Sequence, residues 1–342
     1  MDFQDLQIEV LTDPLGMEQV YTYHRGSTIV VSNSVLLIQR TCGLTAIDEV
    51  GASLFLLLGW VGGDRTLRES VHVLPGGYVH RWKYNGSRTS VAYWPRTSPA
   101  ELSQCWEESR TVELTHRLTT TLHNLSNCFA PFGCDLTGGR DSRVLAAALI
   151  ARGIPATFNT GGSEESPDVQ IATAIAKAFH LPHHVNNRQE LVTDCWDEGV
   201  RRLIRQNDGM VNLWQVANSI AQPQSVENLP LWLWGVGGEI ARGFYYSGLN
   251  LSPTFGNSQI LRTFCSRLVA KDTELLKGET RQLALQSVSE TCQGFLNDGF
   301  EPLQVPQAFY AFDRVRRWAG ANFRKAAPIC DMFTHFCTIP FI

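Results

Sequence analysis

Thr137, Gly138, Gly139, Asp141 and Ser142 stand together in the stretch CDLTGGRDSR, just before the apolar run VLAAALIARG. Glycines without side chains let backbone N–H groups approach a phosphate closely. A helix that begins there adds unpaired donors and about half a positive charge. Ser142 can donate its hydroxyl. Asp141 would repel a bare phosphate, so a cradle of this composition calls for Mg²⁺ between acid and anion. A plain strand-to-helix turn, with Asp141 as a first-turn acid, is the competing reading. Neither the Gly-x₄-Gly-Lys-Ser/Thr loop nor the GxGxxG fingerprint occurs. A second glycine pair, in WVGGDRTLRES at 60–70, follows a helical pattern with no apolar helix after it, which reads as a surface turn.

These residues need a scaffold, and the chain supplies alternating patterns. The first ninety-odd residues are β-rich: QIEVLTD, QVYTYHR, STIVVSNS and YVHRWKY are short, β-branched and aromatic, bounded by turn residues. One helix is predicted at 47–58, with acids in its first turn. After Ser98-Pro99 a long helix is predicted from 101 to 127. Strands and helices then alternate through CDL, TFN, HHV and LWLW, the pattern of a parallel sheet with helices on its faces. Residues 258–325 read as helical throughout. Ligands in such a sheet sit beyond the carboxyl ends of the strands, where strand order reverses. The loops after three strands would bring Asp141, Thr160-Gly161 and Glu239 to one place, two acids on one cradle. Glu239 taken alone reads rather as a first-turn helix acid.

The composition sets limits. With 44% hydrophobic and 18% charged residues the chain is of ordinary globular type, and its 342 residues suggest two domains. A net charge of -4 argues against nucleic acid or an acidic membrane as a partner. Nine cysteines without a CxxC pair read as reduced thiols, not a disulfide frame or zinc site. MDFQDLQIEV has no signal-peptide pattern, and ASLFLLLGWVGG is roughly half of what a membrane span needs, so a cytoplasmic protein is expected. His183-His184 fall on opposite faces of a strand, a poor arrangement for metal ligation. Trp232 and Trp234 read as core or pocket wall.

Several of these motifs together resemble the asparagine synthetase-like family of the ATP pyrophosphatase (PP-loop) superfamily, whose relatives include β-lactam synthetase and lasso peptide cyclase. LTGGRDS is similar to the family's SGGxDS loop, ATFNTGGSEESPDVQIATAIAKAFHLPHHV to its second block, and WGVGGEIARGFY to SGEGSDExxGGY. TDPLGMEQVYTY, VVSNSVLLI and GDRTLRESVHVLPGGYVHRW resemble the later strands of the family's glutaminase-like (Ntn-type) domain. The resemblance implies an α/β chain: residues 1–97 a truncated glutaminase-like β-rich domain without the nucleophilic cysteine, and 98–342 an ATP pyrophosphatase domain. It implies an ATP-dependent amide ligase, in which a carboxylate attacks the α-phosphorus, pyrophosphate leaves, and an amine displaces AMP from the acyl-adenylate.

By position, the resemblance assigns Leu136, Thr160, Gly161 and Gly235 to the nucleotide, Thr137, Gly138, Gly139, Asp141 and Ser142 to pyrophosphate, and Asp141 and Glu239 to Mg²⁺. Arg316, Arg317 and Lys325, with Arg314 and Arg324 beside them, are candidates to neutralise phosphate. The substrates would be a small-molecule or peptide carboxylate and an amine, in natural-product or sugar-modification chemistry. The departures are specific. The first cysteine is Cys42, so no glutaminase activity is expected. Val236 stands where the family places a glutamate or tyrosine, and valine cannot take a proton from an attacking amine. The metal aspartate is replaced by Glu239. The end at CTIPFI falls where relatives continue. A non-catalytic nucleotide-binding homologue and a fragment of a longer synthetase are therefore the alternatives.

Overall fold

The computed structural model describes residues 7–83, 87–94, 108–186, 196–212, 229–247, 249, 256–270, 276–326 and 331–334. The chain divides into two compact units: 1–100 with 204–212 and 243–322, and 101–203 with 213–242 and 323–342.

The first unit holds two antiparallel three-stranded sheets. One is formed by β1 (Gln7–Leu11), β5 (Tyr78–Lys83) and β6 (Arg88–Ala92), with β5 central. In the other, β2 (Tyr21–Arg25) lies between β3 (Thr28–Ser32) and β4 (Val71–Val73). The four strands expected from the β-rich patterns are present, and β4 and β6 are additional. Helix α1 (Val35–Cys42) is a further addition, started by Ser34, whose hydroxyl accepts the Leu37 N–H, and ended at Gly43 with φ +64. In that left-handed conformation a glycine is the natural residue. Helix α2 (Glu49–Leu58) begins two residues later than the acidic first turn suggested, because the Asp48 carboxylate caps it by accepting the Gly51 N–H at 2.6 Å.

Helix α2 is apolar on all sides, which requires cover. Leu54, Leu57 and Leu58 pack in one core with Ala284, Val288, Cys292 and Phe295 of the helix Gly278–Asn297. That packing gathers residues 243–322 with the N-terminal strands. The sequence 258–325, expected to be helical, contains helices Asn257–Leu268, Gly278–Asn297, Val305–Phe309, a π-helical stretch Tyr310–Ala319 and a helix Gly320–Ala326. Residues 271–275 lie outside the described residues. The expected boundary at 97/98, in 95–107, and the start of the long helix at 101 lie outside them as well.

In the second unit, helix α3 (Glu108–Phe129) leads into a five-stranded parallel sheet in the order β11-β10-β7-β8-β9. The strands are β7 (Phe132–Asp135), β8 (Ala156–Gly161), β9 (His183–Asn186), β10 (Leu231–Leu233) and β11 (Asp331–Phe333). Helices α4 (Arg140–Ala151) and α5 (Pro167–Ala178) follow β7 and β8. The chain runs outward through β7, β8 and β9, then returns to place β10 on the other side of β7. Strand order reverses between β7 and β10. The fifth strand, β11 (DMF), lacks the continuous apolar run that marks the equally short β10 in the sequence. Phe132, Cys134, Leu136, Phe158 and Leu233 join Leu122, Leu145 and Leu149 in the core. Trp232 lies opposite Gly133 in the register, and a Cβ at Gly133 would collide with the indole ring. The cysteines at 134, 265 and 292 are buried and free, with the last two sulfurs 3.7 Å apart.

Candidate functional site

The apolar run of β7 ends at Leu136, which is fully buried, and the chain turns at Thr137–Gly139 into α4. No side chain caps this helix at Gly139. Instead the loop is pinned by its own residues. Ser142 Oγ accepts the Thr137 N–H at 3.1 Å, and Thr137 Oγ1 accepts the Gly139 N–H at 3.0 Å. The Gly138 N–H, the donor best placed by sequence for a phosphate oxygen, reaches the Asp168 carboxylate at 2.9 Å. Asp168 stands in the first turn of α5, behind the N-cap Ser166 and Pro167. An exposed carboxylate thus accepts from a backbone donor of the glycine pair.

The loop after β10 meets this one. A Cβ at Gly235 would fall 3.0 Å from the Ser142 nitrogen and 3.2 Å from Asp141 Cβ. A Cβ at Gly238 would fall 2.8 Å from Asp141 Cβ and nearer still to its carboxyl carbon. Gly237 has φ +96, so the loop turns where only glycine turns easily. Three glycines thus let the β10 loop lie against the start of α4. A short 3₁₀ turn, Gly238–Arg242, follows and carries Glu239. Arg242 Nη2 donates to Asp141 Oδ2 at 2.5 Å and stands 3.8 Å from Glu239 Oε1. Burial pushes the Asp141 carboxyl above its ordinary range, Arg242 pulls it back, and the Glu239 charge adds to the rise.

The convergence expected of Asp141 and Glu239 is present, and Gly235 lies against Ser142 as well. Thr160 joins the loop from β8: its hydroxyl donates to the buried Leu136 carbonyl at 2.5 Å. His183 Nε2 lies 2.8 Å from the same hydroxyl oxygen. A hydroxyl has one proton, and the carbonyl can only accept it, so His183 must donate from Nε2. Histidine here fastens β9 to β8. His184 points the other way and is exposed.

Burial, then the neighbouring His184, hold the His183 imidazole below its ordinary 6.5. A depressed histidine favours the fold above the unfolded value and loses that contribution as pH falls through it. Denaturation midpoints between pH ~8 and ~5 should decline below about 6.5, and His183→Gln, which keeps a donor, should flatten that decline. An equal decline in both proteins would rule His183 out as its source.

Val236, where a proton acceptor was sought, is buried, and its carbonyl accepts the Thr334 hydroxyl. Thr334 is a hydroxyl, not a base. Arg316 and Arg317, expected to meet phosphate, are instead buried in the first unit. Arg316 donates to Asp64 at 2.9 Å and to the Leu74 carbonyl at 2.8 Å. Arg317 donates to the carbonyls of Val61 and Arg65 at 2.7 Å. The π-helical stretch sets these side chains inward together with Asp313. Arg314 lies over the rings of Phe244, Trp318 and Trp60 at 4.7, 5.2 and 5.3 Å. The Lys325 side chain lies outside the described residues. The glycine pair at 62–63, read as a surface turn, is an anchor: the Gly63 N–H donates to Asp313 at 2.6 Å.

Residues 113–218 match the family model for asparagine synthase. That segment is asparagine synthase-like. It contains the whole Thr137–Ser142 loop, Thr160, Asp168 and His183, and it ends before β10. The family's activity is of the ATP-dependent ligase type, and its members use ATP. A search of the curated proteins finds no match. Two functional candidates escaped the sequence reading. Asp168 had a signal, the Ser-Pro-Asp that starts α5. Arg242 had none, since only the turn after β10 brings it to Asp141. Among the described residues no helix is long and apolar enough to cross a membrane.

Proposed function

We propose that this chain binds ATP at the β7–β10 switch point and forms an amide bond through an acyl-adenylate, releasing pyrophosphate and AMP. The observation that carries the proposal is the approach of two glycine-lined loops, with Gly235 and Gly238 against Ser142 and Asp141. The N-terminus of α4 lies where these loops meet, and a helix N-terminus stabilises the charge that builds on departing pyrophosphate. In this reading Leu136, Thr160, Gly161 and Gly235 border the nucleoside. Thr137, Gly138, Gly139 and Ser142 hold the phosphates, and the Asp168 carboxylate is displaced from Gly138 as they enter. The carboxylate substrate attacks the α-phosphorus, pyrophosphate departs, and an amine then displaces AMP. No glutamine hydrolysis is proposed.

Binding of radiolabelled ATP by equilibrium dialysis, followed by pyrophosphate–ATP exchange with a panel of amino acids and dicarboxylates, tests this reading. ATP binding with carboxylate-dependent exchange supports it, and failure to bind ATP sinks it. Val236, whose carbonyl is held by Thr334, favours a second reading. The chain would then be a nucleotide-binding homologue without ligase chemistry. ATP binding with no exchange for any carboxylate would point to that alternative.

A further inference from the structure

The Mg²⁺ expected between Asp141 and Glu239 meets a different arrangement. Magnesium requires a near-octahedral oxygen shell at about 2.0–2.1 Å. Here the guanidinium of Arg242 donates to Asp141 Oδ2 and stands 3.8 Å from Glu239 Oε1. A divalent ion between these carboxylates would share the place with a fixed cation, since a guanidinium does not deprotonate in this setting. The donor set therefore does not fit a metal ion as it is arranged. Glu239 and Arg242 are three residues apart on the same 3₁₀ turn, where i and i+3 side chains eclipse, so the pair travels as one piece. The turn can lie against Asp141 because Gly238 has no Cβ.

We infer that Arg242 is a positioning residue that supplies the positive charge between Asp141 and Glu239 in place of a metal ion. Resting on the nucleotide-binding reading above, this makes the cradle one whose acid is neutralised by the protein itself. The guanidinium fixes the Asp141 carboxylate at the start of α4 and removes its repulsion from an arriving phosphate. Its fork has further N–H groups, and the side chain is 43% exposed. Asp141 at 18% and Glu239 at 27% are more enclosed.

Mn²⁺ titration of the full chain, followed by electron paramagnetic resonance without nucleotide, tests the inference. The unaltered protein should bind Mn²⁺ no more tightly than Asp141→Asn. Arg242→Met should expose both carboxylates and create a Mn²⁺ site about tenfold tighter than any in the unaltered protein. Adding Glu239→Gln to that variant should remove the new site. Arg242→Lys keeps the charge and should show no gain. A Mn²⁺ site in the unaltered protein that Asp141→Asn abolishes would overturn the inference. So would no gain in Arg242→Met, or an equal gain in Arg242→Lys. If Arg242→Met does not fold, the comparison with Asp141→Asn decides alone. Failure to bind ATP would count against the ligase reading and leave the Mn²⁺ result standing.

Discussion

On the ligase function proposed above, replacing Gly238 by alanine should lower turnover about a hundredfold while leaving the protein folded. The added Cβ would fall 2.8 Å from Asp141 Cβ and closer to the carboxyl carbon, a distance that atoms do not tolerate. What must move is the Asp141 side chain, which can rotate away for about 0.5–1.5 kcal/mol, so the fold survives. The function does not. Asp141 would leave Arg242 and the start of α4, and a misplacement of about 1 Å in such a constellation costs about a hundredfold in rate. ATP affinity by equilibrium dialysis and thermal stability, measured side by side, separate the two effects. Nucleotide affinity equal to that of the unaltered protein would show that the β10 loop does not serve the cradle. Loss of both binding and fold would mean that the contact is structural.

The second large effect concerns stability. Asp313 is 2% exposed and accepts two hydrogen bonds, from Trp60 Nε1 at 2.8 Å and the Gly63 N–H at 2.6 Å. The charges of Arg317 and Arg316 also lie near it. Burial pushes its carboxyl upward against these bonds and charges. Asp313→Ala would strand two buried donors, at about 1–3 kcal/mol each, and would remove the negative charge that lies near Arg317 and Arg316. Asp313→Asn keeps one acceptor and should lose less. Urea denaturation followed by tryptophan fluorescence reads this directly, because Trp60 is one of the partners. A loss below about 1 kcal/mol for the alanine variant would mean that the network is not what fastens the π-helical stretch to α2.

This network also marks where sequence reading stops. Arg316 and Arg317 sit in an arginine-rich stretch that resembles a phosphate-binding tail, yet they hold carbonyls at 61, 65 and 74. Their partners are some 250 positions away in the chain, and no local pattern carries that information. The glycine pair at 62–63 follows the same logic. It has the look of a surface turn because its purpose, to offer an N–H to Asp313, depends on a distant helix. Short elements were missed for a related reason: β4 (VHV) and β11 (DMF) have three residues each and lack the apolar run that marks the equally short β10.

The sequence by itself determined what depends on local order. A β-rich beginning, a parallel sheet built from alternating strands and helices, and the loop at 137–142 are all written in neighbouring residue types. Side-chain alternation and helix capping act over a few positions, so they are legible there. Only the tertiary structure decided which charges answer which. It placed Asp168 on the Gly138 N–H, Arg242 between Asp141 and Glu239, and the arginines at 316 and 317 in the interior of the other unit. Electrostatic partnership falls steeply with distance in space and is indifferent to distance along the chain. The return of β10 beside β7 brings Arg242 within reach of Asp141, and with it the charge balance of the cradle.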